Sequence, residues 1–307
     1  LSQPTGWIQE PATVDAVTVE MGGNNALFSS TPLKGYANRQ IAKGQTGVFP
    51  HLAEKKLFGR LLAAFHQRRG TCVGQGTTRA IQDSLFYQIA NRGMVSDVVE
   101  LVVAYIYAGS RVQIGGGRIS GDGSIGAWAA KFASLYGILA RREYDRYDLS
   151  KPREDLAVNW GAPGRGVPSE LLEIGKQIDV RAYRCTTQDD IVDAAWAGFG
   201  LAFCGNRTYG SKNKHGISRL SQSANHCTEA VGACIGTSGG ILIGGQQSWG
   251  QNSPSGTNTL TYKGGQVELR AGMCFVPVED YWNQVRNSGE MWAFQVDAHT
   301  AFRPQSA

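Results

Sequence analysis

Cys72 follows Gly70-Thr71, a break in the chain, and opens a stretch with the spacing of a long helix. A helix start carries unpaired N–H groups and the positive end of the helix dipole, so it favours negative charge. A thiol there ionises more readily and becomes a nucleophile toward a carbonyl carbon. The same position also suits a buried cysteine packing as a small hydrophobe. His226 stands in Ala224-Asn225-His226-Cys227, where a polar Ser/Asn-rich loop meets an apolar strand pattern over residues 230–235. From a strand mouth an imidazole can face a second lobe across a cleft and act first as base, then as acid. A structural histidine with satisfied nitrogens fits there equally well. Further on, Gly244-Gly245-Gln246-Gln247-Ser248-Trp249-Gly250 follows another strand pattern. The Gln247 amide could hold the second imidazole nitrogen, with Trp249 shielding that bond from water. The plainer reading of this segment is a polar turn with a core tryptophan.

A glycine loop raises a rival chemistry. Gly121-Asp122-Gly123-Ser124-Ile125-Gly126 fits GxGxxG, a helical pattern follows, and Glu143 lies 22 residues past Gly121. A dinucleotide fingerprint needs a strand ending at the first glycine, so that the turn delivers pyrophosphate to the helix N-terminus. Residues 115–120 intervene here and no βαβ alternation continues, so the match is the kind a glycine-rich chain yields by chance.

These residues need elements to position them. Residues 1–50 mix Pro, Gly, Asn and Ser with short β-leaning pieces such as residues 14–19, and read as an extended arm against a larger body. Residues 52–65 carry helical spacing through Leu57, Leu61, Leu62 and Phe65. The helix opened by Cys72 buries Ala80, Ile81, Leu85 and Ile89 and runs to about Ala90, with Asn91-Arg92-Gly93 as its C-cap. Further helices are expected over residues 98–108, from Gly126 to about Tyr136, and over 169–177 and 188–197. Prolines and glycines over residues 152–168 mark a crossing between lobes. Strands are then expected over 201–203, 229–235, 240–245, 257–262 and 273–277. A helical half followed by a strand-rich half predicts an α+β protein. The expected boundaries are an arm to residue 50, a helical lobe over 51–155, a β-rich lobe over 156–285 and a tail over 286–307. The stretch from Glu279 to the end, with Trp282 and Trp292, is expected to cap the β lobe or dock a partner.

Composition sets the limits. With 307 residues, 42% hydrophobic and 18% charged, the chain is ordinary globular material able to bury a sizeable core. Glycine is the outlier: 40 residues, about 13% against a usual share of roughly 7%, without a triplet period, which predicts a loop-rich fold with close backbone approaches. A net charge of +5 without a long basic run argues against nucleic acid. No apolar run is long enough for a spanning helix, and the given sequence opens at Leu1 without a basic-then-apolar stretch. Neither a membrane nor a signal peptide is therefore expected. Six cysteines show no CxxC pattern, which points away from a metal and toward reduced thiols in a cytoplasm or particle interior.

Taken together, the pieces resemble the papain-like cysteine peptidases, over about 60% of the chain and in the family's order. Gly70-Thr71-Cys72 stands where that family has Gly-Ser-Cys, and Asp122-Gly123-Ser124 resembles its glycine wall. Asn225-His226 with Val231-Gly232 resembles its histidine strand, and Gln247-Ser248-Trp249-Gly250 its Asn-Ser-Trp-Gly. The resemblance implies a two-lobed α+β fold, a helical lobe plus a β-barrel-like lobe with the active site between them. It also implies peptide-bond hydrolysis by a Cys72–His226 thiolate–imidazolium pair. Gly123 and Ser124 would line the substrate backbone, and no cofactor or metal is implied. Partners would be a peptide or protein substrate, with an assembly partner reached through the arm or tail. The sequence departs from the pattern at several points. Gln247 replaces Asn, Gln67 lies five rather than six residues before the nucleophile, and Arg69 replaces a half-cystine. No recognisable inhibitory pro-segment is present, with residues 1–50 as a substitute. These departures keep open a papain-fold structural or interaction protein, such as a viral particle component.

Overall fold

The computed structural model describes residues 5–297. Its central element is a 21-residue helix, which needs the preceding ones named first. The N-terminal part carries α1 (Pro11–Glu20), α2 (Tyr36–Ala42), the short strand β1 (Gly47–Val48) and α3 (Ala53–Phe58). Then comes α4 (Cys72–Arg92), ended by Gly93 in the left-handed region at φ 69°. It is buried along most of its length although much of it is polar. That is possible because its polar side chains bond neighbouring elements instead of water. The Gln82 carbonyl oxygen accepts Leu101 N–H at 2.9 Å, and Ser84 donates to Phe294 O at 2.8 Å while accepting Gly200 N–H at 2.7 Å. Gly200 is required by this approach, since a Cβ there would lie 2.0 Å from Ala80 O.

The helical half continues with α5 (Val103–Gly109), α6 (Gly126–Tyr136), the hairpin β2 (Glu143–Tyr144) and β3 (Tyr147–Asp148), α7 (Glu154–Trp160) and α8 (Ser169–Gly175). The strand-rich half holds β4 (Val180–Arg184), α9 (Gln188–Trp196), β5 (Gly200–Tyr209), β6 (Leu220–Ile235) and β7 (Ile241–Gln246). It closes with the hairpin β8 (Thr259–Tyr262) and β9 (Gly265–Glu268), then β10 (Met273–Pro277), α10 (Val278–Val285) and β11 (Glu290–Val296). The main sheet is antiparallel, in the order β10-β7-β6-β5-β11-β4, with β1 pairing to β6. β11 shows how the two halves share it. Trp292, Phe294 and Val296 enter the core of the helical half, whereas Met291 and Ala293 enter that of the sheet and α9. Among the described residues no helix is long and apolar enough to cross a membrane.

Several elements differ from the sequence reading. Residues 14–19 are helical: Pro11 presets the first turn of α1, and Val14, Val17 and Thr18 gain burial on one face, which outweighs their β propensity. The helix expected over 52–65 stops at Phe58, where Gly59 turns left-handed. The chain then pairs His66 with Trp249 and carries the Gln67 N–H to Ser248 O at 2.8 Å. α5 begins at Val103 because Leu101 bridges Ala140 and the Val102 N–H is taken by Leu139 O at 3.0 Å. The arm is not merely extended, since it holds α1, α2 and a paired strand. Of the stretch expected to cap the β lobe or dock a partner, residues 279–285 fall in α10, which packs on the sheet, while residues 290–296 form β11, hydrogen-bonded on both sides by β5 and β4 as a strand of the sheet itself. Residues 298–307 lie outside the described residues.

Candidate active site

The loop before Cys72 is fixed by two carboxylates. Glu154, in the first turn of α7, accepts the Arg68 and Arg69 N–H groups at 3.0 Å and the Thr71 hydroxyl at 2.8 Å. Asp122 takes the Arg69 guanidinium at 3.1 and 3.2 Å and the Gly70 N–H at 3.1 Å, and the Arg69 fork holds its carboxyl below the usual range. The resembled family has a half-cystine at the Arg69 position. Here an ion pair ties the loop before Cys72 to the strip containing Gly123 and Ser124.

Cys72 is fully buried at the start of α4. Burial pushes its thiol well above the ordinary range and the neighbouring Cys227 adds to this, while backbone groups of Cys227, Gly6 and Val73 act in the opposite sense. His226, on β6, is 1% exposed and its ring stacks on Trp249 at a centroid distance of 4.4 Å and 24° between planes. Neither ring nitrogen has a hydrogen-bond partner among the described residues, and burial alone lowers the imidazole pKa to about 3. Thiol and imidazole are therefore both neutral in this state. Burial thus disfavours the charged form of each group in this state, the opposite of what the thiolate–imidazolium pair implied by the resemblance requires.

The two glutamines are placed differently from expectation. The Gln247 carbonyl accepts the Thr208 hydroxyl at 2.6 Å and its amide bonds the Ser253 hydroxyl, so neither end holds His226. Trp249 accordingly packs on the imidazole face instead of shielding a Gln247–His226 bond. Gln67 donates to Arg69 O at 3.0 Å and accepts from the Ser248 hydroxyl, which engages both ends of its amide next to the nucleophile loop.

What fills the groove is the chain's own N-terminus. Ser124 N–H donates to Gly6 O at 2.8 Å and Ile8 N–H to Ser124 O at 2.9 Å, a parallel bridge centred on Trp7. The Gly6 and Trp7 N–H groups both reach Asn225 O, the carbonyl just before His226, at 3.3 Å. A Cβ on Gly6 would lie 2.0 Å from Gly70 O, so only glycine lets the segment pass this close to the nucleophile loop. Residues 5–8 thus run between Gly70, the Gly123–Ser124 strip and Asn225, and their backbone reaches the Cys72 thiol. Sequence reasoning missed this, as it missed Asp122, Glu154 and Cys227. Asp122 lay inside a motif already singled out, but nothing local marks Trp7 or Glu154. The rival nucleotide reading also meets a structural obstacle: the first N–H of α6, at Gly126, is taken by the Glu290 carboxylate at 2.8 Å.

Solved structures were compared with this arrangement. Xylellain, a cysteine protease from Xylella fastidiosa, superposes with a TM-score of 0.58 at 15% identity, covering 95% of this chain and 96% of that one. The fold is papain-like. Procathepsin B S9 from Trypanosoma congolense gives 0.51 at 13% identity over 96% of this chain and 87% of that one. A recombinant stem bromelain precursor gives 0.52 at 12% identity over 95% and 77%. No protein-family model and no curated protein matches the chain. Within this chain, Cys72 opens α4 and His226 lies on β6.

Proposed function

We propose that the chain is a latent cysteine-type peptidase or closely related amide hydrolase whose groove is closed by residues 5–8. The observation that carries this reading is that the groove already holds extended peptide backbone, hydrogen-bonded by Ser124 and Asn225 beside Cys72. Once the segment leaves, water reaches the thiol and the imidazole, and the desolvation that keeps both neutral is relieved. His226 then takes the Cys72 proton, and the sulfur attacks the scissile carbonyl carbon. The negative charge that develops on oxygen is met by the Cys72 N–H and by the Gln67 amide turned away from Arg69 O. Each such donor is typically worth roughly 2.7–4 kcal/mol. His226 next protonates the leaving amine, then activates the water that releases the acyl group from Cys72. Gly123 and Ser124 hold the substrate backbone, and Trp249 fixes the imidazole plane by stacking. All six cysteines are free thiols, which favours a reducing compartment or particle interior.

The engagement of Gln247 by Thr208 and Ser253 favours a second reading, a papain-fold structural or interaction protein that has lost turnover. Peptide hydrolysis by the full chain with Trp7→Leu decides between them. Turnover that disappears with Cys72→Ala supports the peptidase. No turnover, with a thiol that ionises only in the ordinary range, supports the scaffold.

A further inference from the structure

Three of the six cysteines meet at the nucleophile. Cys72, Cys204 and Cys227 are fully buried in the core of the helical half, whereas Cys185 and Cys274 lie in the core of the sheet and α9, and Cys234 in a third cluster. Cys204 on β5 and Cys227 on β6 are direct cross-strand partners, and their thiols interact. Cys227 also lies over the first turn of α4. Cys72 and Gly76 are one turn apart on one face of that helix, and a Cβ on Gly76 would lie 3.1 Å from Cys227 Sγ. The Cys72 thiol in turn meets the Cys227 backbone. Trp7 belongs to the same cluster, its indole N–H donating to Glu290 Oε1 at 2.9 Å. A Cβ on Gly126 would lie 2.7 Å from that oxygen and 2.8 Å from Cys204 Sγ, so the covering segment reaches the thiols themselves. Alanine or valine would fill a dry position beside α4 as well as cysteine does. What cysteine adds there is a second sulfur next to the nucleophile.

We infer that Cys227 is a modification site: it captures an oxidised Cys72 as a Cys72–Cys227 disulfide, which switches the site off and returns it intact on reduction. The inference rests on the peptidase reading for the reactivity of Cys72, while capture by Cys227 stands by itself. The oxidant is a peroxide. The Cys72 sulfur attacks the O–O bond of hydrogen peroxide and keeps one oxygen as a sulfenic acid, and the other leaves as water with the Cys72 proton. The Cys227 sulfur then attacks the Cys72 sulfur, the S–O bond breaks, and the hydroxyl leaves as a second water with the Cys227 proton. Two thiols have lost two electrons, and one peroxide has become two waters. A low-molecular-weight thiol reverses the link by exchange through a mixed disulfide. Without Cys227 the sulfenic acid goes on to sulfinic acid, which such thiols do not reduce. Cys204 takes no part in the capture.

The test uses the full chain with Trp7→Leu, which gives up the indole bond to Glu290, alone and with Cys227→Ala or Cys204→Ala. Each chain is treated with hydrogen peroxide, its free thiols are blocked, and the unreduced digest is mapped by mass spectrometry with fragmentation. Trp7→Leu should show Cys72 linked to Cys227, and so should the chain that adds Cys204→Ala. After reduction, alkylatable Cys72 should be recovered about tenfold better in Trp7→Leu than in the chain that adds Cys227→Ala, where Cys72 is found as sulfinic acid. A link between Cys204 and Cys227 that leaves Cys72 out, or equal recovery with and without Cys227, overturns the inference. The linkage map needs no change at Cys227 and stands if Cys227→Ala lowers the thermal midpoint too far to be used. Peptide turnover by the reduced Trp7→Leu chain separates this inference from the peptidase reading. If the link forms but the reduced chain cleaves nothing, the modification site stands and hydrolysis falls. If the reduced chain cleaves peptides and peroxide takes Cys72 to sulfinic acid without a link, hydrolysis stands and the modification site falls.

Discussion

α4 and β6 touch at two polar ends, and the ends are built on opposite principles. At one, Arg270, fully buried, bonds Glu54, Asp83 and Glu229, and Arg79 bonds Glu54 at 2.6 Å. Two guanidinium groups face three carboxylates, so neutrality requires one proton. Burial and the Asp83 charge push Glu229 up, whereas Arg270 and Arg79 overcome burial to hold Asp83 at about 2. Glu229 Oε1 and Asp83 Oδ1 are the two carboxylate oxygens in this group without a donor, and one proton held between them satisfies both. The histidine there is partnered at one nitrogen, with His51 Nε2 bonded to Glu268 O at 2.9 Å and Nδ1 left without a partner among the described residues. At the other end, Cys72 and His226 are equally buried, yet among the described residues the imidazole has no hydrogen-bond partner and no ion-pair partner. The charge-paired end joins the two halves of the molecule, with Arg79 Nε and Nη1 left without a hydrogen bond. The unsatisfied end, on the proposed reading, is a site held short of its working charge state by residues 5–8.

That contrast can be broken most forcefully at the groove. In the Trp7→Leu chain, Cys72→Ala or His226→Ala is expected to cut peptide turnover by more than about 1,000-fold. Cys72→Ala should change denaturant stability by only about 1 kcal/mol or less. If either substitution leaves turnover intact, the assignment of this end is wrong. Arg270→Ala should do the reverse. It strands buried carboxylates and should cost about 3–5 kcal/mol in chemical denaturation. A loss below about 1 kcal/mol would mean that this cluster does not join the halves.

These two ends were unequally visible in the sequence. Cys72 and its helix were legible because Gly70-Thr71 and Gly93 bracket a 21-residue element, and β10 matched its expected span because Met273–Pro277 is a short apolar run between turns. His226 was legible from its position at the mouth of an apolar strand. Nothing local marks Arg270 or Glu54, since their pairing spans the chain and depends on which strands become neighbours. Trp7 and Glu290 are 283 residues apart, and the strand carrying Glu290 was read as tail because its inward and outward faces are both apolar. Gln247 was placed on His226 from its position after a strand and then by resemblance, and only the packed structure shows Thr208 and Ser253 engaging it.

Acid sharpens the comparison next. His226 and His51 are held at about 3 and about 4 by burial, against 6.5 for a solvated histidine. As pH falls through 6.5 the unfolded chain takes up these protons and the folded chain does not. Their stabilising contribution is thus complete above about pH 6.5 and is lost progressively toward pH 4 and then 3, at up to roughly 1.4 kcal/mol per pH unit for each histidine. Denaturation midpoints between pH 7 and 5 measure the slope, and His226→Phe should remove about half of it. An unchanged slope would show that His226 is solvated. The smallest effect is expected at the loop. Glu154→Gln weakens three contacts to residues 68–71 while keeping the shape, and should cost about 1–2 kcal/mol and slow turnover by about tenfold. Measured in the Trp7→Leu chain, turnover unchanged by Glu154→Gln would show that the loop needs no such clamp.

The most direct measurement is the pH profile of Cys72 alkylation in three full-length chains: wild type, Trp7→Leu, and Trp7→Leu with His226→Ala. Wild type should label slowly across the range, because thiol and imidazole are neutral under the N-terminal segment. Trp7→Leu should label fast down to about pH 6, the mark of a thiolate stabilised by imidazolium. His226→Ala should return the profile to that of an ordinary thiol. Three profiles with one midpoint near the ordinary thiol value would contradict a catalytic pair kept latent by residues 5–8.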